Sequence, residues 1–117
     1  MKNTLNDRFT KKIDYILELI DKENYNLALR KINTFLKSTS FEKNYVTFLK
    51  GLVLCRLGKV KNSISLMNNL LKKDLKTDVR EMILISKGES LLQSYRYKEA
   101  ISVLNKALAL PSTNQHT

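Results

Sequence analysis

Cysteine, histidine, tryptophan and proline are nearly missing from this chain. Its 117 residues hold one Cys, one His, one Pro, three Gly and no Trp. A single cysteine excludes a disulfide framework and any cysteine-based zinc site, and it fits a reducing compartment, the cytoplasm. So few glycines and prolines argue against a turn-rich all-β domain and for helices joined by tight connections. Long apolar runs are missing too: Leu52-Val53-Leu54-Cys55 is among the longest, against the ~18 residues a membrane-spanning helix needs. The segment from Met1 to Arg8 has no apolar stretch behind its charges, unlike a secretory signal. Acidic charge is scarce, with 11 Asp+Glu against 21 Lys+Arg and a net charge of +10. That balance raises nucleic acid or an acidic membrane surface as a partner. What remains is an ordinary globular composition, 43% hydrophobic and 27% charged, in a length that suits one domain.

The chain repeats itself. Lys87-Gly88-Glu89-Ser90-Leu91, Tyr97-Lys98-Glu99-Ala100-Ile101 and Leu104-Asn105-Lys106-Ala107-Leu108 follow one another in the last third. The middle third has Lys50-Gly51-Leu52-Val53-Leu54, Val60-Lys61-Asn62-Ser63-Ile64 and Met67-Asn68-Asn69-Leu70-Leu71. Gly51 and Gly88 stand 37 residues apart, as do Ser63 and Ala100, Met67 and Leu104, and Leu70 and Ala107. An earlier copy reads Tyr25-Asn26-Leu27-Ala28-Leu29 and Ile32-Asn33-Thr34-Phe35-Leu36, with Ala28 lying 35 residues before Ser63.

Three copies at this period resemble the tetratricopeptide repeat (TPR), a helix–turn–helix unit of about 34 residues. In the third copy Leu84, Gly88, Leu91, Tyr97, Ala100, Leu104 and Ala107 occupy the family's signature places, with Pro111 near its closing proline. In the second, Gly51, Leu54, Gly58, Ser63 and Met67 match, and Leu70 replaces the second alanine. In the first, Leu19, Tyr25, Ala28 and Ile32 fit, while Ile16 replaces the glycine. The resemblance implies an all-α fold, three tandem helix hairpins forming a short right-handed α-solenoid. It implies a single TPR domain over residues 1–110, with repeats at about 9–40, 44–76 and 81–111 and a disordered tail over 111–117. First helices are expected near 8–21, 42–57 and 79–94, and second helices near 24–37, 60–73 and 97–109. Gly51, Gly88, Ala28, Ser63 and Ala100 are the small residues that let helices cross closely. Lys50 and Lys87 stand where the family has leucine, so their alkyl stems are expected against the core with the ammonium groups in water. Asp78 followed by Glu81 has the spacing of a capping box.

No catalytic constellation is legible. His116 lies in the tail, and Cys55 has no histidine partner and sits on an apolar helix, where a packed thiol is inert. Pairs such as Asp14 with Glu18 have the spacing of a helix surface. There is no phosphate loop, no metal-ligand cluster and no nucleophile elbow, so neither an enzyme nor a cofactor is expected.

In a solenoid of this kind the first helices line a concave groove that holds partners. Helical spacing places Ile13, Leu17 and Ile20 there from the first copy, and Tyr45, Phe48, Leu52 and Cys55, with Arg56 at the edge, from the second. The third copy adds Met82, Ile85, Glu89 and Leu92, with Gln93 at the edge. Chaperone-docking members carry a Lys/Asn/Arg clamp for a peptide carboxylate; Ile13, Leu17, Leu49, Met82 and Ser86 stand in its place. An apolar groove suits an amphipathic helix or an apolar peptide. Size, repeat number and groove character are similar to small TPR chaperones of type III secretion, which hold needle or translocator subunits in the cytoplasm. The far edge leaves Ile101, Leu104, Leu108 and Leu110 without an obvious cover, so this end is expected to meet a partner or a second copy.

The leading expectation is thus a protein-binding module, a small cytoplasmic chaperone or adaptor. A structural subunit of a larger assembly and a basic nucleic-acid-binding helical protein are the alternatives. Against nucleic acid, the basic residues are dispersed, 16 Lys to 5 Arg, with no aromatic interleaving for base stacking. The charge is then a solubilising property that also favours acidic partners.

Overall fold

The computed structural model of the chain describes residues 4–111. Residues 112–117, with His116 and nearly all of the expected tail, lie outside the described residues. Six helices follow in order: α1 (Thr4–Asp21), α2 (Tyr25–Ser38), α3 (Lys43–Arg56), α4 (Val60–Leu71), α5 (Thr77–Gln93) and α6 (Tyr97–Leu108). Each helix packs on the next, and α3 also packs on α5, the neighbour pattern of hairpins stacked into a solenoid. α1 begins four residues earlier than the periodicity predicts, because Thr4 to Asp7 continue an exposed polar face that periodicity does not register.

The three hairpin turns share one backbone design. In the first, the Glu23 N–H donates to Ile20 O (2.9 Å) and the Asn24 N–H to Leu19 O (2.8 Å). In the second, Gly58 donates to Cys55 O (3.0 Å) and Lys59 to Leu54 O (2.8 Å); in the third, Tyr95 donates to Leu92 O (3.0 Å) and Arg96 to Leu91 O (2.9 Å). These paired bonds satisfy the last carbonyls of the outgoing helix and require a left-handed residue just past its end. Glu23 (φ 60°), Gly58 (φ 83°) and Tyr95 (φ 62°) supply it. The residue after each turn starts the return helix without a side-chain cap.

Between hairpins the links differ. Glu42 turns left-handed (φ 50°) just before α3, and the Thr39 hydroxyl accepts the Phe41 N–H at 3.0 Å. Phe9 stacks near both Phe35 (5.8 Å between ring centres) and Phe41 (5.6 Å), which fastens α1 to the end of α2 and the link. Before α5 the expected capping box does not form: the helix already starts at Thr77, and the Asp78 carboxylate accepts the adjacent Val79 N–H at 2.9 Å. The link is held instead by Arg80, whose guanidinium donates to Leu71 O (3.1 Å) and Lys73 O (2.8 Å). A cation thereby meets the unsatisfied carbonyls at the C-terminal end of α4, where the helix dipole favours it.

The core follows the small residues. Ile13, Ile16, Ile32, Phe35, Val46, Leu49, Val53, Met67, Leu70 and Ile83 belong to one buried cluster, and Ile64, Leu84, Leu91, Ala100, Val103 and Ala107 form a second. A Cβ at Gly51 would come within 2.5 Å of Met67 Cε, and one at Gly88 within 2.7 Å of Leu104 Cγ, so these helices cross at contact distance. At the Gly51 crossing Ser63 is wholly buried and donates its hydroxyl to Gly51 O at 2.7 Å, with the Ser90 hydroxyl 3.4 Å away. One serine therefore ties α3, α4 and α5 together, and no buried side-chain polar atom among the described residues lacks a partner. Lys50 and Lys87 are half-buried. Burial, and then the nearby Lys106, push the Lys87 ammonium below its ordinary pKa.

Candidate partner-binding site

The apolar stripe read along the first helices divides into two faces in the fold. One set consists of pairs seven residues apart: Ile13 and Ile20, Phe48 and Cys55, Ile85 and Leu92. The structure turns the first two pairs toward the following hairpin; the third has no hairpin after it among the described residues. Ile13, Phe48 and Cys55 are buried, with Phe48 only 7% exposed, and Ile20 is half-buried. The cause is visible at Cys55: its thiol donates to Gln93 Oε1 of α5 at 3.2 Å, and Gln93 Nε2 donates back to Cys55 O at 3.4 Å. These side chains are packing, not free groove lining, wherever a further hairpin covers them. Ile85 and Leu92, on the last first-helix, are each 41% exposed.

The other set lies across the open side: Leu17 on α1, Tyr45, Leu52 and Arg56 on α3, and Met82 and Glu89 on α5. Leu17, Tyr45, Leu52 and Met82 are half-buried, while Arg56 and Glu89 are exposed. Leu17, Tyr45 and Met82 rest on the main core cluster. The Tyr45 ring lies 6.3 Å from Phe48. Burial, with Asp14 and Glu42 nearby, pushes the Tyr45 hydroxyl above its usual pKa, so it stays a neutral donor. A cavity of about 110 Å³ opens between α3 and α5, lined by Leu52, Cys55, Arg56, Ser86, Glu89, Ser90 and Gln93. Gln93 joins the site by its two hydrogen bonds with Cys55 of α3; its sequence signal was only its place beside Leu92 at the edge.

A wider depression of about 710 Å³ lies between the links and the first turns of α3 and α5, with Tyr45 in its lining. Glu42, Asp74 and Asp78 there alternate with Lys43 and Lys76, so it presents no charge of one sign. Positive charge is dispersed along the chain: Lys11, Lys31, Lys59, Lys72, Lys98 and Lys106 are all exposed.

Hairpin stacking at a period of 35–37 residues, with small residues at each crossing, is the architecture of one repeat family. A family model described as "Psidin, N-terminal TPR repeats region" matches residues 10–117. The chain belongs to that TPR family. No curated protein and no solved structure matches it. The repeats of this family are a protein-interaction fold, and protein partners follow from it. Among the described residues no helix is long and apolar enough to cross a membrane, and no group of three or more His, Cys, Asp or Glu could hold a metal ion.

The remaining expected residues lie at the far edge. On α6, Ile101 and Leu108 are exposed and Leu104 half-buried, as is Leu110 just past its end; Leu104 leans over Gly88, and Leu110 rests on the second core cluster.

Proposed function

We propose that the concave face binds a protein segment with an apolar side, an amphipathic helix or an extended apolar peptide. Leu17, Tyr45, Leu52 and Met82 would be its floor, and Arg56 and Glu89 its charged borders. The observation that carries this reading is that half-buried apolar side chains recur on all three first helices, Leu17 on α1, Tyr45 and Leu52 on α3, and Met82 on α5. Such a strip gains by being covered, at about 25 cal/mol per Å² of apolar surface removed from water. Opposite charges at its border set the register of a bound segment. Binding involves no chemistry, and the chain acts as an adaptor or small chaperone in the cytoplasm. The narrower reading, a chaperone for a needle or translocator subunit of type III secretion, rests on size and repeat number; the family match adds nothing to it.

Leu52→Glu places a charge on the floor at a half-buried position. Proteins that co-purify from the native host with the unaltered chain and are lost with Leu52→Glu, at unchanged helicity, would support the reading. Capture indifferent to Leu52→Glu would refute it.

A further inference from the structure

The third hairpin turn carries two aromatic rings into solvent. Tyr95 stands there in the left-handed conformation (φ 62°) that Gly58 takes (φ 83°) in the second turn. It is 78% exposed, and Tyr97 is 54% exposed. The two rings meet edge to face at 6.2 Å, which leaves ring faces open. A bulky residue held against its backbone preference, and not buried in return, points to use at the surface.

The expectation that the basic residues lack aromatic interleaving fails at this turn, where Tyr95-Arg96-Tyr97-Lys98 alternates the two. The second turn lies alongside, because Cys55 and Gln93, just before the two turns, bond at 3.2 Å. It adds Lys59 and Lys61, both exposed, and has no acid between Leu57 and Asn62. Among the described residues Lys59, Lys61 and Lys98 pair with no acid. The acids nearby are otherwise engaged or turned away. Glu99 is held by the Arg96 guanidinium at 2.8 and 2.7 Å, and Glu89 lines the concave cavity with Arg56. The first turn is the reverse: Glu18, Asp21 and Glu23 surround one lysine, Lys22, itself paired to Glu18. Dispersed along the chain, positive charge is thus unopposed along the second and third turns.

Exposed rings beside free ammonium groups match a flexible polyanion whose units carry flat π-faces. An acidic peptide supplies the charge without the faces, and a duplex keeps its bases stacked on one another. We propose that the edge formed by the second and third turns binds single-stranded nucleic acid, with bases on Tyr95 and Tyr97 and phosphates on Lys59, Lys61 and Lys98. This edge is separate from the concave face, and the inference stands without the reading of that face.

The probe is a fluorescein-labelled oligo(U) of about 12 nucleotides, long enough for a site of this kind. The full chain is titrated into it and followed by fluorescence anisotropy. Saturable binding is expected. Log affinity should fall with log salt at a slope of about 2, near 0.7 for each of the three lysines. Tyr95→Gly should weaken binding at least about fivefold, the loss of one stacked base. Because glycine relieves the turn, this variant melts no lower than the parent, and lost binding is not lost folding. Lys59→Glu with Lys61→Glu should weaken binding at least about tenfold. Lys11→Glu with Lys12→Glu makes the same charge change at exposed positions in the first half of α1, away from the turns. It should shift binding less than about twofold at ~0.15 M salt, where charges beyond about 8 Å are screened. Equal losses in the two lysine variants would overturn the edge in favour of net charge. Absence of saturable binding, binding indifferent to Tyr95→Gly, or equal affinity for a duplex of the same length would overturn it as well. So would displacement of the oligo(U) by poly-glutamate at equal charge, which would assign the edge to an acidic protein segment.

Discussion

Three equivalent turns that use three different residues allow a sign-changing test of backbone strain. Glu23, Gly58 and Tyr95 share the left-handed conformation and the same pair of hydrogen bonds. Only the second is glycine. A side chain in that region costs roughly 1–2 kcal/mol. Introducing glycine returns about 0.4–1 kcal/mol to the unfolded chain as entropy. Glu23→Gly should therefore stabilise the fold by about 0.5–1 kcal/mol. Tyr95→Gly should gain somewhat less, because it removes a ring contact with Tyr97 at 6.2 Å that is worth about 0.5 kcal/mol. Gly58→Ala should do the reverse and cost about 0.5–1 kcal/mol, by the same two terms. No clash is involved, since nothing lies within 4 Å of a Cβ built there. For a chain of this length, 1 kcal/mol moves the melting midpoint by about 4 °C. Urea unfolding followed by far-UV circular dichroism reads all three as shifts in midpoint at constant slope. Glu23→Gly combined with Gly58→Ala should fall near the parent, because the turns are separate and their effects add. A neutral Gly58→Ala, or a destabilising Glu23→Gly, would refute the claim that strain and not contact governs these turns.

Three further outcomes follow from the packing. Arg80→Ala should cost about 1–3 kcal/mol, because two carbonyls at the end of α4 lose a charged donor; Arg80→Lys should recover only part, since one ammonium cannot span both oxygens, and thermal melts measure both. Phe48→Glu should abolish folding, with removal of the buried ring alone worth about 3–5 kcal/mol, whereas Leu52→Glu keeps its helices; circular dichroism separates them. Lys87→Met should melt higher than the parent at neutral pH. The fold depresses the Lys87 pKa, so the unfolded chain holds that proton more tightly and the parent carries a penalty while Lys87 is charged. The penalty fades as pH rises through the depressed value toward 10.5, and the gap between the two melting curves should close there; a constant gap would show that burial of charge is not its cause.

One helix stripe divides between residues that pack on the next hairpin and residues that do not, and that division was hidden in the sequence. A stripe read at 3–4-residue spacing on a helix spans more than a third of its circumference. It therefore merged Phe48 and Cys55, which the next hairpin covers, with Leu52 and Arg56, which it does not. Arg80 was equally silent, because a basic residue in the first turn of a helix opposes that helix's own dipole and makes sense only beside the end of α4.

The repeat is a property of the chain itself. The spacing of Gly51 and Gly88, of Ser63 and Ala100, and the alternation of apolar periodicity with short polar turns dictate six helices in three hairpins, because close crossings tolerate only small side chains. Glu23 and Tyr95 adopt the turn of Gly58 without any local signal, since two hydrogen bonds and the packing of both helices over-determine a conformation that their side chains disfavour. Which apolar residues face a neighbour and which face solvent is decided by stacking alone: Ile64 and Ile101 have the same local sequence role, and one is buried and the other open because α5 lies over the first and nothing among the described residues lies over the second.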